Sequence, residues 1–279
     1  MKISFKNQEE YLSKLFEKYI GMPHGLIKSH CNYFNEFFNE GKAINIEKLK
    51  NLLALNLKGY EGVELYNKSW FGIDIPVWLT NGGNKNKIMI TAMDPLREKD
   101  NSNKIKPENI TFNTPFTIHD IEISNNYNSH ITKLAESNDI YLTDAYKLFF
   151  RDSKNYDFVS NKIPSYRKLG IHKMILIEEI KHFKPNFILC LGKDSSHAIA
   201  NLGGFSLEPI SKTKIQKQLE KYSFEKIPVF CVPHASGSAR GSAKKFMELH
   251  NQPYIAKNYL FDVVNLILKK IDHYNRKTL

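Results

Sequence analysis

The spacing of apolar residues changes along the chain, and the changes predict its elements. Over residues 8–57 apolar positions recur at helical spacing. Tyr11, Leu15, Phe16 and Tyr19 share one face, and the pattern continues over 27–38 and 46–57. This predicts a helical N-terminal layer. From Gly62 to Asn81 the text turns β-like, with GVELYN and IDIPVWLTN as short runs around a Ser69-Trp70-Phe71-Gly72 turn, which predicts an edge hairpin. After the break at Gly82-Gly83-Asn84 come four apolar runs, 87–93, 139–143, 186–191 and 227–232, each too short for a helix. Helical text over 171–183 and 195–202 lies between the later runs, and 241–249 and 259–274 close the chain as helices. Strands alternating with helices predict an α/β domain built on a four-stranded parallel sheet with right-handed crossovers. With no repeat or Pro/Gly/Ser-rich linker, the expected organisation is a helical extension with an edge hairpin over 1–84, packed on an α/β domain over 85–279.

Open parallel sheets bind ligands outside the carboxyl ends of their strands. The residues there are Asp94-Pro95-Leu96-Arg97, Asp144-Ala145-Tyr146-Lys147, Gly192-Lys193-Asp194 and His234-Ala235-Ser236-Gly237. Alone, Asp94 reads as a turn-stabilising acid and His234 as a half-buried histidine. Together, a carboxylate and an imidazole at strand ends of one sheet can converge on a single crevice and act on opposite sides of a scissile bond. Residues 236–245 add hydroxyls, small side chains and three cations just before a helix. That combination lets backbone N–H groups approach phosphates.

Composition narrows the classes. With 279 residues, 42% of them hydrophobic, the chain can bury a substantial core. A formal net charge of +11 fits a polyanionic partner, and equally a lysine-rich solvated surface. Cys31, Cys190 and Cys231 lack CxxC spacing and read as core residues, so no metal or iron–sulfur site is expected. No run of eighteen apolar residues and no signal-type N-terminus occurs, so no membrane partner and a cytoplasmic location are expected. The absence of GxGxxG after the first strand, of a P-loop and of a GxSxG elbow disfavours a small-molecule nucleotide enzyme on a flavodoxin-like or Rossmann-like sheet. His119, His172 and His197 show no metal-ligand spacing and read as structural or exposed.

Four of these segments, in order, resemble the uracil-DNA glycosylase superfamily. Ala92-Met93-Asp94-Pro95-Leu96-Arg97 is similar to its Gly-Gln-Asp-Pro-Tyr-His type motif, and His234-Ala235-Ser236-Gly237-Ser238 to its His-Pro-Ser loop. Between them, Thr111-Phe112-Asn113-Thr114-Pro115 resembles the segment whose Phe stacks on the flipped base, and Tyr141-Leu142-Thr143-Asp144-Ala145 the strand ending in the base-reading amide. The resemblance covers roughly 88–240. It implies a three-layer α/β sandwich and a monomeric DNA glycosylase that needs no cofactor and acts on duplex or single-stranded DNA. Asp94 would stabilise the oxocarbenium-like sugar and orient or deprotonate water, and His234 would donate to the base O2. Met93, Leu96, Phe112 and Asp144 would hold the base. Arg97, Lys147, Lys193, Ser236, Ser238, Arg240 and Lys244 would contact DNA.

The departures bear on substrate. Leu96 stands where the best-known branch has a Tyr that closes the pocket against C5 substituents. Asp144 stands where uracil-selective members have an amide, and an ionised carboxylate suits the exocyclic amine of cytosine. Ala235 replaces Pro, and Ser238 occupies the place of the usual wedge residue, a role Arg240 can take. The expected substrate is therefore a 5-modified cytosine, hydroxymethylated or glucosylated as in phage DNA, removed in antiviral defence. Ordinary uracil repair, through a protonated Asp144 or a one-residue shift of the alignment, stays open. So does an inactive DNA-binding module of the same fold.

Overall fold

The structure, a computed structural model, describes residues 4–20, 22, 24–29, 31, 54–56, 69–83, 86–92, 109–118, 126–152, 170–200, 202, 222–224, 226–235 and 239–277. In chain order the main elements are β1 (Ser4–Phe5), α1 (Glu9–Ile20), β2 (Ala54–Asn56), β3 (Ser69–Asp74), β4 (Val77–Thr80), β5 (Asn86–Ala92) and β6 (Asn109–Asn113). They continue with α2 (Asn126–Ala135), β7 (Asn138–Asp144), β8 (Leu148–Asp152), α3 (Gly170–Phe183), β9 (Phe187–Leu191), α4 (Lys193–Ala200), β10 (Tyr222–Phe224), β11 (Ile227–Val232), α5 (Arg240–Leu249) and α6 (Tyr259–Lys277).

The four apolar runs form the parallel centre of the main sheet, in the order β7-β5-β9-β11. Their lack of strict alternation follows from helices on both faces. Ile88 and Ile90 join one apolar cluster with residues of α2, α5 and α6, whereas Met89 joins another with Leu176, Ile180 and Phe183 of α3 and Ile199 of α4. The result is an α/β sandwich. The sheet is nevertheless mixed, where a purely parallel one was expected. β4 pairs antiparallel with β7, β1 with β4, and β10 with β11, so short strands extend both edges to seven strands in all.

The expected edge hairpin is not formed. β4 lies in the main sheet, while β3 belongs to a second sheet of order β2-β6-β3-β8. Residues 69–72, expected as a turn, are strand, because β3 finds partners far away in sequence on both sides, β6 and β8. Residues 54–56, expected as helix, are β2 of this sheet. The run GVELYN lies outside the described residues. Two short links join the sheets: 75–76 between β3 and β4, and 145–147 between β7 and β8. The second sheet therefore springs from the carboxyl-end side of β7.

The extension belongs to the same core. Helix α1 buries Leu12, Leu15, Phe16 and Ile20 and packs against α3. Each such side chain contributes about 1.5–3 kcal/mol when fully buried.

Burial also couples stability to pH through His130 on α2. This residue is 2% exposed and its Nδ1 has no hydrogen-bond partner. Desolvation, assisted by Lys133, pushes its pKa down from 6.5 to about 4. The folded pKa lies below the unfolded one, so the neutral form's contribution is present above about pH 6.5 and is lost as pH falls through about 4. A shift of this size corresponds to about 3 kcal/mol. His130→Leu is expected to flatten the fall in melting temperature between those pH values, and an unchanged slope would show that His130 does not drive it.

Candidate active site

The central strand order means that the chain leaves β5 first for β7 on one side and then crosses to β9 on the other. Such a reversal opens a crevice at the carboxyl ends of the two strands flanking it, here β5 and β9. Backbone bonds fix the rim. Ala145 N–H donates to Ala92 O at 2.9 Å, joining the ends of β7 and β5, and Gly192 N–H donates to Val232 O at 2.8 Å, joining β9 to β11. The Gly192 carbonyl accepts from the hydroxyls of Ser195 at 3.2 Å and Ser196 at 2.7 Å, which ties β9 to the first turn of α4.

His234 follows β11 on this rim. The Tyr259 hydroxyl of α6 donates to Pro233 O at 2.9 Å and so fixes the approach to it. Gly192 has φ +85°, and a Cβ added there would lie 3.7 Å from the His234 Cβ. Glycine is needed for the left-handed turn rather than for space. Burial lowers the His234 pKa, so the imidazole is neutral at pH 7, with one ring nitrogen a donor and the other an acceptor.

Beside it is Phe116, its ring centroid 6.0 Å from that of His234 and tilted by 41°. Phe116 has φ 58° and ψ 14°, a left-handed conformation that costs a non-glycine residue about 1–3 kcal/mol. The ring is half-buried. Backbone strain on an aromatic residue at a crevice rim marks it as a candidate functional residue. The family resemblance picks Phe112 instead. That residue sits within β6, its backbone opposite Ile73 of β3 in the second sheet. The sequence signal for Phe116 is Thr114-Pro115-Phe116, in which the proline begins a tight 3₁₀ turn.

Asp144 ends β7 and is 3% exposed. Immediately after it, Lys147 is 1% exposed and folds back into the protein. Its ammonium donates to Glu179 Oε2 of α3 at 2.6 Å and to Thr143 Oγ1, while the Thr143 hydroxyl donates to the same Glu179 oxygen at 3.0 Å. Lys147 N–H donates to His172 Nδ1 at 2.9 Å. Burial pulls the Lys147 pKa down and pushes that of Glu179 up, and in each case the partner's charge opposes the shift. Lys147 was expected to contact DNA, but here its cation is committed to Glu179 in the interior and presents no donor to a phosphate. Glu179 was not singled out from the sequence. The signal was available, since it shares a helical face with His172, Ile175, Leu176, Ile180 and Phe183, all buried.

Lys193, Arg240 and Lys244 are exposed at the starts of α4 and α5, the helices that follow β9 and the His234 segment. Lys244 lies 3.8 Å from Glu248, a solvated pair that leaves it available. Asp94, Met93, Leu96, Arg97, Ser236 and Ser238 lie outside the described residues, Asp94 two positions beyond the last residue of β5. Among the described residues no cluster of three or more His, Cys, Asp or Glu could hold a metal ion, and no helix is long and apolar enough to cross a membrane. Comparison of the chain with models of known protein families and with curated proteins finds no match.

Proposed function

We propose that the protein is a DNA glycosylase of the uracil-DNA glycosylase type that hydrolyses the N-glycosidic bond of a flipped pyrimidine and leaves an abasic site. The observation that carries the reading is the pairing of a neutral, half-buried His234 with the strained Phe116 ring at the carboxyl-end crevice, on the rim that also holds Asp144. Cleavage puts negative charge on the departing base and positive charge on the sugar. A neutral imidazole donates a hydrogen bond to the base oxygen as charge grows there. Asp94, in sequence just beyond β5, supplies the carboxylate for the sugar and the attacking water. Phe116 offers the face on which an extruded base stacks. Lys193, Arg240 and Lys244 offer phosphate contacts beside the same strand ends, in keeping with the net charge of +11.

The favoured base is a 5-modified cytosine, hydroxymethylated or glucosylated, whose removal from phage DNA would be an act of defence. An ionised Asp144 would accept a hydrogen bond from the exocyclic amine, and Leu96 is smaller than the Tyr that closes the pocket against C5 substituents in the family it resembles. The test is incubation with duplex and single-stranded DNA containing uracil, 5-hydroxymethylcytosine or its glucosylated form, followed by alkali. Strand breaks at the modified cytosine are expected, and intact strands with every base would refute base excision.

Phe116→Gly separates stacking from folding in the same assay. Glycine adopts φ 58° without strain, which offsets part of the loss of the ring's packing on the core, so a melt run beside the assay separates folding from a kcat/KM that is expected to fall roughly tenfold to a hundredfold, the value of one base–aromatic stack. Undiminished kcat/KM would remove Phe116 from the pocket.

A further inference from the structure

At one level of the main sheet a row of hydroxyls and thiols crosses all four parallel strands. Thr143 of β7 stands opposite Thr91 of β5, Thr91 opposite Cys190 of β9, and Cys190 opposite Cys231 of β11. Residues directly opposite in a ladder share a face of the sheet, and that face here is the one covered by α3 and α4, where Tyr141, Met89, Ile188 and Val229 lie two positions earlier on the same strands. The row runs one residue short of the strand ends. Lys147 and Glu179 account for the Thr143 end, since both bond to its hydroxyl. They do not account for the thiols at the other.

Cys190 and Cys231 are free cysteines, the first fully buried and the second 4% exposed. Neighbouring strands lie about 4.7–4.9 Å apart, inside the ~4.4–6.8 Å over which a disulfide joins two Cα atoms. The ladder therefore already holds the pair at bridging distance. The two thiols are hydrogen-bonded to each other, with Cys190 the donor. That bond pulls the Cys231 pKa down, with help from the Ser196 hydroxyl of α4, whereas burial and the same bond push that of Cys190 up. The Thr91 hydroxyl, fully buried, has no partner other than the Cys190 thiol. The pair is thus asymmetric. Cys231 is the more thiolate-like and the nearer to solvent, and Cys190 lies behind it.

We propose that Cys190 and Cys231 form an oxidation site, which a hydroperoxide small enough to reach Cys231 closes into a disulfide between β9 and β11. In the first step the Cys231 sulfur attacks the O–O bond and keeps one oxygen as a sulfenic acid, while the other oxygen leaves with the thiol proton as water or an alcohol. In the second the Cys190 sulfur attacks that of Cys231. The S–S bond forms, the S–O bond breaks, and the hydroxide leaves with the Cys190 proton as water. Two thiols lose two electrons and the peroxide gains them. The bridge ties the strands just below Gly192 and His234, where Gly192 N–H already binds Val232 O and a Cβ on Gly192 would lie 3.7 Å from that of His234. An oxidant-sensitive cross-link therefore sits under the rim of the candidate active site, whatever reaction His234 serves.

The test treats the folded, full-length protein with hydrogen peroxide, blocks the remaining thiols with N-ethylmaleimide in denaturant, and maps the peptides without reductant. A peptide pair joining Cys190 to Cys231 is expected, lighter by two hydrogens than the two thiol peptides together. Cys31 is the internal control. It is buried, its pKa is pushed up to about 12 by that burial, and it should be recovered alkylated. Cys190→Ser removes the second thiol, so Cys231 should then collect as a sulfenic acid that dimedone traps. Cys231→Ser should leave Cys190 a thiol. Recovery of both thiols alkylated overturns the proposal, as does oxidation of Cys31 or Cys190 ahead of Cys231. Sulfinic acid on Cys231 without the cross-linked pair overturns it too, because Cys190 is then out of reach. Should either serine variant fail to fold, the peptide map of the unmodified protein decides alone.

Discussion

Replacing His234 by alanine is expected to lower the single-turnover rate of base release by about a hundredfold to a thousandfold, equivalent to the ~2.7–4 kcal/mol of one preorganised donor. Substrate affinity should change little. In the proposed reaction the hydrogen bond from His234 would strengthen only as negative charge develops on the departing base, so its loss would belong to the transition state and not to the bound duplex. The structure makes the imidazole well suited to this role. Its approach is fixed by Tyr259 on Pro233 O, and burial keeps it neutral at pH 7. Because its pKa is lowered, the neutral donor should also persist somewhat below the pH at which a free imidazole protonates. Asp94→Asn, which keeps shape but removes the carboxylate's charge, is expected to cost at least as much. The measurement is burst-free release under enzyme excess, with duplex binding followed separately. A loss below tenfold for His234→Ala, with binding intact, would deprive it of the catalytic role.

The parts of this site that were legible in the sequence are those dictated by local burial. The run Ile227–Val232 is an apolar stretch bounded by turn text, and it is β11 residue for residue. Helices α3 to α6 were readable for the same reason, each having an apolar stripe facing the sheet. Elements specified by distant partners were not. Ser69-Trp70-Phe71-Gly72 has the composition of a turn and becomes a strand only because β6 and β8 supply its hydrogen bonds. Helix α2, with the text NYNSHITKLA, is too polar for its stripe to stand out, although His130, Ile131 and Leu134 are buried. The aromatic beside His234 illustrates a different limit. A motif can point to a Phe in the right segment, but the left-handed turn that brings Phe116 beside His234 is a property of the folded backbone. Lys147 shows the same limit for charge. Its place after a strand suggested an outward cation, and only its pairing with Glu179, 32 residues away, reveals an inward one.

That pairing gives the largest expected effect on stability. Glu179→Ala leaves the Lys147 ammonium in the interior with the Thr143 hydroxyl and the nearby Asp144 as compensation, and a broken buried pair typically costs about 3–5 kcal/mol. For a chain of this size that corresponds to a fall in melting temperature of roughly 6–20 °C. Removing both charges has a different cost. Lys147→Met with Glu179→Leu keeps volume and takes away the desolvation that both groups suffer, so the double variant should lie within about 1–2 kcal/mol of the parent, and a gain is physically reasonable. Lys147→Met, Glu179→Leu and their double variant close a cycle with the parent whose coupling term should be several times that of a solvated pair such as Lys244–Glu248, for which about 0.3–0.5 kcal/mol is expected. Thermal or denaturant melts of the four proteins measure it. If Glu179→Ala melts within a degree or two of the parent, the interior at the end of β7 must admit enough water to solvate a lone ammonium, and the pair is then not held in a dry environment. If the double variant is as unstable as Glu179→Ala, the loss comes from packing of α3 against the sheet and not from charge. A strong coupling with a well-folded double variant would indicate that the chain keeps a costly buried charge pair where apolar residues would serve stability as well.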